Sequence, residues 1–194
     1  MIRLENLSVR AGTFLLENVS LEVAQGEYGI LMGRTGSGKT TLLLTIAGML
    51  RPSGGRVMWD GRDLYALSSP ERAAIRSRQI GFVFQMFHLV PYLTALDNVL
   101  LAAANGAGRD DAAQLLERLG LADRMRHRPP IILADEPTGN LDPENAAAVT
   151  QQLKEYQQQG GTVIVVSHSE QMDAVADRVV QLDRGRIAST VAAE

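Results

Sequence analysis

The sequence contains no cysteine among its 194 residues, which excludes disulfide bonds, thiolate metal sites and cysteine nucleophiles together. An excess of one charge is also missing, because 22 acidic residues are balanced by 19 basic ones and the net charge is −3. Proteins that bind nucleic acid usually carry a strongly basic surface. We therefore expect no nucleic-acid partner.

Long apolar segments are absent as well. The longest apolar run, Thr41–Leu50, is too short to cross a bilayer, and the first residues, MIRLENLSVR, lack the pattern of a secretory signal peptide. With 45% hydrophobic and 21% charged residues, the composition is typical of one soluble globular domain. We expect a soluble chain, which is compatible with binding to a membrane protein.

Hydrophobic periodicity predicts an α/β fold that begins with antiparallel strands. Apolar and polar residues alternate at the start of the chain, and later apolar runs are short and bounded by Gly or Pro. The run TVIVVSH is apolar on both faces, as in a covered parallel sheet. The predicted strands are residues 2–7, 15–23, 27–32, 56–60, 79–85, 131–136 and 162–168, with a hairpin at 177–190.

Helical patterns and capping residues predict the helices and the domain organisation. We expect Ser69 to cap a helix that has Pro70 at its first position, and Asp142 to cap another that begins at Pro143. The predicted helices are residues 41–50, 68–78, 94–104, 110–121 and 143–159. We expect one domain, with a core from residues 1–84 and 130–194 and a helical subdomain at 85–129.

The segment GRTGSGKT fits the pattern G-x-x-x-x-G-K-[ST] between a predicted strand and a predicted helix. Its glycines let main-chain N–H groups surround a phosphate chain at the positive end of a helix. Lys39 is predicted to reach the β- and γ-phosphates, Thr40 to bind Mg²⁺, and Thr41 to contact the α-phosphate. The predicted nucleotide-binding residues are Gly33, Arg34, Thr35, Gly36, Ser37, Gly38, Lys39, Thr40 and Thr41.

Polar residues follow three other predicted strands. Asp135 and Glu136 end an apolar run, where paired carboxylates are costly unless a cation or a reaction needs them. Beside a phosphate loop, Asp135 is predicted to hold Mg²⁺ and Glu136 to orient and deprotonate a water. His168 and Gln85 end two more strands, at the edge where open α/β sheets bind ligands. For these two residues, considered alone, a structural role stays open.

Four segments together resemble an ATP-binding-cassette (ABC) ATPase. GRTGSGKTT, IGFVFQ, ADEPTGNLDP and VIVVSHS have the order and spacing of its Walker A motif, Q-loop, Walker B motif with D-loop, and switch histidine. The resemblance covers essentially the whole chain and is strongest to the lipoprotein-releasing and macrolide-export branch. It implies a P-loop NTPase core with a mostly parallel sheet flanked by helices, an antiparallel β subdomain and a helical subdomain.

The resemblance also implies individual roles. Glu136 would be the catalytic base, and His168 would hold the γ-phosphate and the attacking water. Gln85 would contact the γ-phosphate and Mg²⁺ and link the site to the helical subdomain. Residues 86–96 would form a groove for a transmembrane permease. The implied function is hydrolysis of ATP with Mg²⁺, in the cytoplasm at the inner face of the cell membrane.

The D-loop implies a dimer. Asn140, Leu141 and Asp142 would lie at a head-to-tail interface with a second ATPase subunit, which closes over the γ-phosphate. Two other functions stay open: a nucleotide-binding module with impaired hydrolysis, and a soluble ABC ATPase that acts on DNA or ribosomes. A small-molecule kinase is a further alternative, which the pairing of Glu136 with His168 disfavours.

Two features depart from the family pattern. The aromatic residue on which the family stacks adenine is replaced by Ala11, and Phe14 is either its substitute or a core residue. The serine- and glycine-rich signature segment is missing, since LADRMRHRPP runs directly into IILADE. Residues 126–130 would have to replace a whole helix, although a few residues span at most about 10–15 Å. We expect that the protein contains a segment that this sequence omits; an engineered deletion and a natural loss stay open.

Overall fold

The computed structural model describes residues 1–84, 129–168, 172 and 174–192. They belong to one compact unit, formed by residues 1–85 and 129–194. The helices predicted at 94–104 and 110–121, the groove at 86–96 and Gln85 lie outside the described residues. The boundaries of the helical subdomain therefore stay a prediction.

The described chain alternates strands and helices after an initial pair of strands. Three helices are present in this part of the protein: α1 (Lys39–Ile46), α2 (Ser69–Gln79) and α3 (Pro143–Gln158). The strands are β1 (Ile2–Ala11), β2 (Phe14–Val23), β3 (Tyr28–Met32), β4 (Gly54–Trp59), β5 (Arg62–Asp63), β6 (Ile80–Val83), β7 (Ile131–Asp135), β8 (Thr162–Val166), β9 (Arg178–Asp183) and β10 (Arg186–Ala192).

The strands form two sheets. An antiparallel sheet has the order β2-β1-β4-β5, and a six-stranded sheet has the order β10-β9-β3-β8-β7-β6. In the second sheet β9, β3, β8, β7 and β6 are parallel, and only β10 is antiparallel, to β9. The prediction of an antiparallel layer beside a mostly parallel sheet is confirmed.

The parallel sheet is covered on both faces, as its apolar sequence predicts. All five residues of β8 are buried. Because side chains alternate along a strand, Ile164 and Val166 join the core shared with β1, β4 and α1, whereas Val163 and Val165 join a second core with Leu153 of α3. Val149, Leu153 and Tyr156 lie four and then three residues apart on α3, which puts them on one face of the helix, and all three pack on this second core.

The start of α2 differs from the prediction by one residue. The N-cap is Ser68, not Ser69, and Pro70 therefore occupies the second helical position. Ser68 accepts a hydrogen bond from the Glu71 main-chain N–H, and the Glu71 carboxylate accepts one from the Ser68 N–H at 2.8 Å. This capping box requires Ser and Glu three residues apart, a spacing that only Ser68 provides. Hydrogen bonds from Ser68 also lower the pKa of Glu71.

The start of α3 agrees with the prediction. Asp142 caps it by accepting hydrogen bonds from the N–H of Asn145 at 3.0 Å and from its side-chain amide at 2.6 Å. These bonds lower the pKa of Asp142. In the described part of the chain, no helix combines the length and the apolar character that crossing a bilayer requires.

Candidate active site

The phosphate-loop motif lies between the end of β3 and the start of α1. Gly33, Gly36 and Gly38 all have positive φ, at 143°, 80° and 102°. A Cβ atom on Gly33 would lie 2.1 Å from the carbonyl oxygen of Leu182, so only glycine fits there. Gly38 is the N-cap of α1 and supplies no side chain to the end of the helix. The loop therefore presents main-chain N–H groups, as the motif predicts.

Lys39 folds back over this loop. Its Nζ donates hydrogen bonds to the carbonyl oxygens of Gly33 at 2.6 Å and Arg34 at 3.2 Å, and the residue is only 6% exposed. Burial lowers the pKa of Lys39, while Glu136 and Asp135 act in the opposite direction. The ammonium group is thus held at the loop, close enough to both acids to interact with their charges.

Asp135 ends β7 next to the phosphate loop. Asp135 is only 7% exposed, and its Oδ1 has no hydrogen-bond partner within the described part of the protein. The pKa of Asp135 is raised, chiefly because the carboxyl group is buried, and the negative charge of Glu136 acts in the same direction. A hydrogen bond from the Thr40 side chain and the positive charge of Lys39 act in the opposite direction. The structure thus brings together Lys39, Thr40 and Asp135, three residues predicted to act on a metal-bound phosphate chain.

Glu136 and His168 also lie together. His168 Nε2 is 3.4 Å from Glu136 Oε1, and both side chains reach solvent, with exposures of 46% and 28%. Glu136 has a φ of 45°, which is unfavourable for a residue with a Cβ and recurs at functional sites. Its N–H donates to the carbonyl of Val166 at 2.9 Å, which fixes the turn after β7 against β8. Parallel pairing of β7 and β8 explains why the ends of these two strands meet.

The predicted D-loop residues follow in the turn before α3. Asn140 is exposed, and the N–H of Leu141 donates to the carbonyl of Thr138 at 3.2 Å. Asp142 is exposed as well, and both of its carboxylate oxygens bind Asn145. Whether these three residues lie at a dimer interface depends on a second subunit, so that role stays a prediction.

A cavity of about 500 Å³ opens over the loop. It is lined by residues from the phosphate loop and α1, by Glu136, and by both ends of the turn between β1 and β2. The lining residues are Ala11, Phe14, Thr35, Gly36, Gly38, Lys39, Thr40, Thr41 and Glu136. The cavity therefore joins the predicted phosphate site to the hairpin in which an aromatic residue was expected.

Sequence reasoning missed the support that the β9–β10 turn gives to the loop. The N–H of Gly185 donates to the carbonyl of Ser37 at 3.2 Å, and Leu182 closely approaches Gly33. Ser37 is 3% exposed, with its Oγ unpaired in the described structure. The only local signal was the Asp-Arg-Gly turn, which does not indicate what the turn contacts. Gln85, predicted to act here, lies outside the described residues.

Comparison with known proteins agrees with this geometry. Residues 16–130 match the ABC transporter family. The lipoprotein-releasing system ATP-binding protein LolD of Shewanella oneidensis is 39% identical over 89% of this chain and 87% of its own. The macrolide export ATP-binding/permease protein MacB of Brucella abortus is 37% identical over 90% of this chain, which spans only 31% of that longer protein.

An archaeal relative bears on the missing segment. An uncharacterized ABC transporter ATP-binding protein of Methanocaldococcus jannaschii, MJ1508, is 36% identical over 93% of this chain and 92% of its own. The alignment spans 207 positions, more than the 194 residues of the chain, so the relative has residues without a counterpart here. The family match also ends at residue 130, immediately before β7.

Solved structures extend the likeness to the whole fold. The dimeric post-hydrolysis state of the ATP-binding cassette MJ0796, bound to ADP and Pi, has a TM-score of 0.86 at 31% identity and covers 99% of this chain and 98% of its own. The fold predicted from sequence is that of an ABC cassette, and among the matched relatives LolD and MacB carry the names of the predicted branch. This chain therefore belongs to the ABC transporter family, as an ATP-binding, ATP-hydrolysing cassette of the lipoprotein-releasing and macrolide-export branch.

Proposed function

We propose that this cassette binds ATP together with Mg²⁺, which Thr40 and Asp135 help to hold, and that it drives a transmembrane permease. The observation that carries the metal proposal is Asp135 Oδ1, a buried carboxylate oxygen without a partner in the described structure, beside Thr40. A buried, unpaired anion is costly unless a cation compensates it. Mg²⁺ commonly takes one or two carboxylates together with substrate phosphates.

The wider surroundings fit that donor set. Among the described residues, no three His, Cys, Asp or Glu side chains are grouped to hold a metal by themselves. A site made from a hydroxyl, one carboxylate and nucleotide oxygens therefore suits Mg²⁺, which rarely uses an all-protein cage. Bound Mg²⁺ would neutralise charge on the phosphate chain. Gln85 is proposed as a further ligand.

The proposed chemistry belongs to Glu136 and His168. The Glu136 carboxylate orients a water and accepts its proton as the water attacks the γ-phosphorus in line with the leaving ADP. His168, 3.4 Å away, holds Glu136 and the transferred phosphoryl group in position. Lys39 leaves its loop carbonyls to bind phosphate oxygens, an exchange of one set of charged hydrogen bonds for another.

We further propose a head-to-tail dimer and a peripheral place at the cytoplasmic face of the membrane. Support comes from the dimeric cassette MJ0796 and from the names of the relatives, a lipoprotein-releasing system and a macrolide exporter with its own permease part. The D-loop residues Asn140, Leu141 and Asp142 would meet the second subunit. The permease would bind at residues 86–96.

Replacing Asp135 tests the metal site directly. We expect Asp135→Asn to weaken Mn²⁺ binding to the complex with a non-hydrolysable ATP analogue by more than about tenfold, because even indirect partners of metal ligands are worth roughly 10–100-fold in affinity. Titration followed by electron paramagnetic resonance measures this. Burial raises the pKa of Asp135, which means that the folded state disfavours its charge, so the variant should unfold at no lower denaturant concentration near neutral pH.

Asp183→Asn is the matched control. Asp183 ends β9, another strand of the same sheet, but is exposed, so its replacement should leave Mn²⁺ affinity within about twofold, as expected for a surface carboxylate. Unchanged Mn²⁺ affinity in Asp135→Asn would refute the proposed metal role.

The missing segment favours a second candidate, a cassette that binds ATP but hydrolyses it poorly. Two measurements distinguish this candidate from an active ATPase: the intact mass of the purified protein and its ATP turnover. If the protein contains the segment, mass spectrometry will give a mass above the 21.0 kDa of this sequence. ATP turnover per protein molecule will then rise with protein concentration, because dimers form. A mass of 21.0 kDa with tight ATP binding and no turnover would instead establish the binding module.

A further inference from the structure

We propose that Gly185 is a positioning residue for the phosphate site: by holding the carbonyl group of Ser37, it aims the N–H of Gly38 at the phosphate chain. Gly185 lies in the turn between β9 and β10, and it is not among the described residues that line the cavity. The inference rests on the proposed nucleotide site and adds a residue that acts on it through the phosphate loop.

One peptide group connects Gly185 with the cavity. The N–H of Gly185 donates to the carbonyl of Ser37 at 3.2 Å. The peptide bond between Ser37 and Gly38 is trans and planar, so this carbonyl and the N–H of Gly38 point in opposite directions. Ser37 is only 3% exposed, whereas Gly38 lines the cavity. Holding the carbonyl on the buried side therefore directs the N–H of Gly38 towards the cavity.

The peptide group between Ser37 and Gly38 is the one that this part of the loop does not fix by itself. On one side, the N–H of Ser37 donates to the carbonyl of Arg34 at 3.0 Å; on the other, the carbonyl of Gly38 accepts from the N–H of Leu42 at 2.8 Å. Gly38 has a φ of 102° and no Cβ atom, so other orientations of the peptide between them cost little. A rotated peptide would turn a carbonyl oxygen towards the phosphates, which repel it. The hydrogen bond from Gly185 stabilises the orientation that binds.

Gly185 is itself fixed by β2. Its carbonyl accepts a hydrogen bond from the N–H of Glu17 at 2.9 Å. A Cβ atom on Gly185 would collide with the carbonyl oxygen of Leu15, so only glycine fits at this position. Arg184 and Gly185 have φ values of 44° and 81°, as in a tight hairpin turn with two left-handed residues. The N–H that holds Ser37 is therefore placed by segments outside the phosphate loop.

The test replaces Gly185 by Asn, which adopts a left-handed φ more readily than most residues with a Cβ atom. The added Cβ still meets the carbonyl of Leu15, so the turn must shift and its hydrogen bond to Ser37 is disturbed. We expect Gly185→Asn to weaken ATP and inorganic tripolyphosphate, each with Mg²⁺, by the same factor. That factor should be roughly 10- to 150-fold, the value of a hydrogen bond to a charged group. Isothermal titration calorimetry measures both ligands.

Gly61→Asn is the matched control. Asp60 and Gly61 have φ values of 45° and 80°, close to those of Arg184 and Gly185, but a Cβ atom on Gly61 would meet no atom within 4 Å. This variant should leave both affinities within about twofold, as for most surface substitutions. Urea denaturation establishes that both variants are folded. Unchanged affinities in Gly185→Asn, or equal weakening in the two variants, would overturn the positioning role.

A measurement on the unaltered protein keeps the role testable if Gly185→Asn does not fold. In protein labelled with ¹⁵N-glycine, amide hydrogen exchange is followed by nuclear magnetic resonance with and without Mg²⁺ and tripolyphosphate. The amide of Gly185 should be protected in both states, because its partner is the protein, and the amide of Gly38 should become protected when the ligand binds. A freely exchanging Gly185 amide, or a Gly38 amide that does not respond to the ligand, would contradict the proposal.

The outcomes separate this role from the proposed nucleotide site. If the unaltered protein bound neither ATP nor tripolyphosphate, the nucleotide site would fail and the role of Gly185 with it. If the unaltered protein bound both ligands and Gly185→Asn bound them equally well, only the role of Gly185 would fail.

Discussion

Glu136→Gln is expected to reduce ATP turnover by roughly 10²- to 10⁴-fold, the usual contribution of a general base, while ATP binding persists. The amide matches the carboxylate in size but cannot accept the proton of the attacking water. His168 would still find an acceptor, because the oxygen of the substituted amide can occupy the position of Oε1 at 3.4 Å. Phosphate release measures turnover. Light scattering with Mg-ATP should then show a dimer that persists because ATP is not cleaved.

The control for this prediction is Glu155→Gln. Glu155 lies near the end of α3, where its carboxylate accepts a hydrogen bond from Gln151 at 2.9 Å on an exposed surface. Its replacement removes the same charge away from the site and should leave turnover within about twofold. Turnover of Glu136→Gln equal to that of the unaltered protein would contradict the role given to Glu136.

Coupling between Glu136 and His168 gives this prediction a second readout. If the two residues act as a unit on the attacking water, His168→Ala should lower turnover strongly by itself and add little in the Glu136→Gln background. Losses that multiply in the double variant would show that the two residues act independently, despite their 3.4 Å separation.

Local patterns account for the parts of the fold that the sequence predicts well. The apolar run of β8 and the spacing of the phosphate-loop glycines each specify a structure within a few residues, and both are confirmed. Asp135 ends β7 and His168 follows β8. Because these two strands are parallel, both residues lie at the same edge of the sheet. Such features need no knowledge of distant contacts.

What the sequence does not reveal depends on contacts between distant segments. The Gly185 turn supports Ser37, but 148 residues separate them and nothing local marks the pair. Phe14 has the same polarity whether it packs on the core or lines a cavity, and in the structure it does both. The error at α2 is different, because the spacing of Ser68 and Glu71 was visible in the sequence and the neighbouring Ser69 obscured it.

Lys39→Met is expected to weaken ATP binding by at least about tenfold and up to about 150-fold for each lost hydrogen bond, since one charged hydrogen bond is worth roughly 1.5–3 kcal/mol. Lys154→Met is the control. Its Nζ pairs with Asp177 at 3.3 Å, at the opposite end of β3, so ATP affinity should not change. Calorimetric titration with ATP compares the two variants. Equal ATP affinities of Lys39→Met and the unaltered protein would contradict the phosphate role.

Stability distinguishes loss of a ligand contact from damage to the fold. Burial lowers the pKa of Lys39, so the folded protein disfavours the charged ammonium, and Lys39→Met should resist urea at least as well as the unaltered protein near neutral pH. In the window between the lowered pKa and 10.5, the unfolded chain binds more protons than the folded one, and stability from this group rises with pH. The advantage of the variant should therefore shrink as the pH approaches 10.5. An advantage that is independent of pH would show that the buried charge is not its cause.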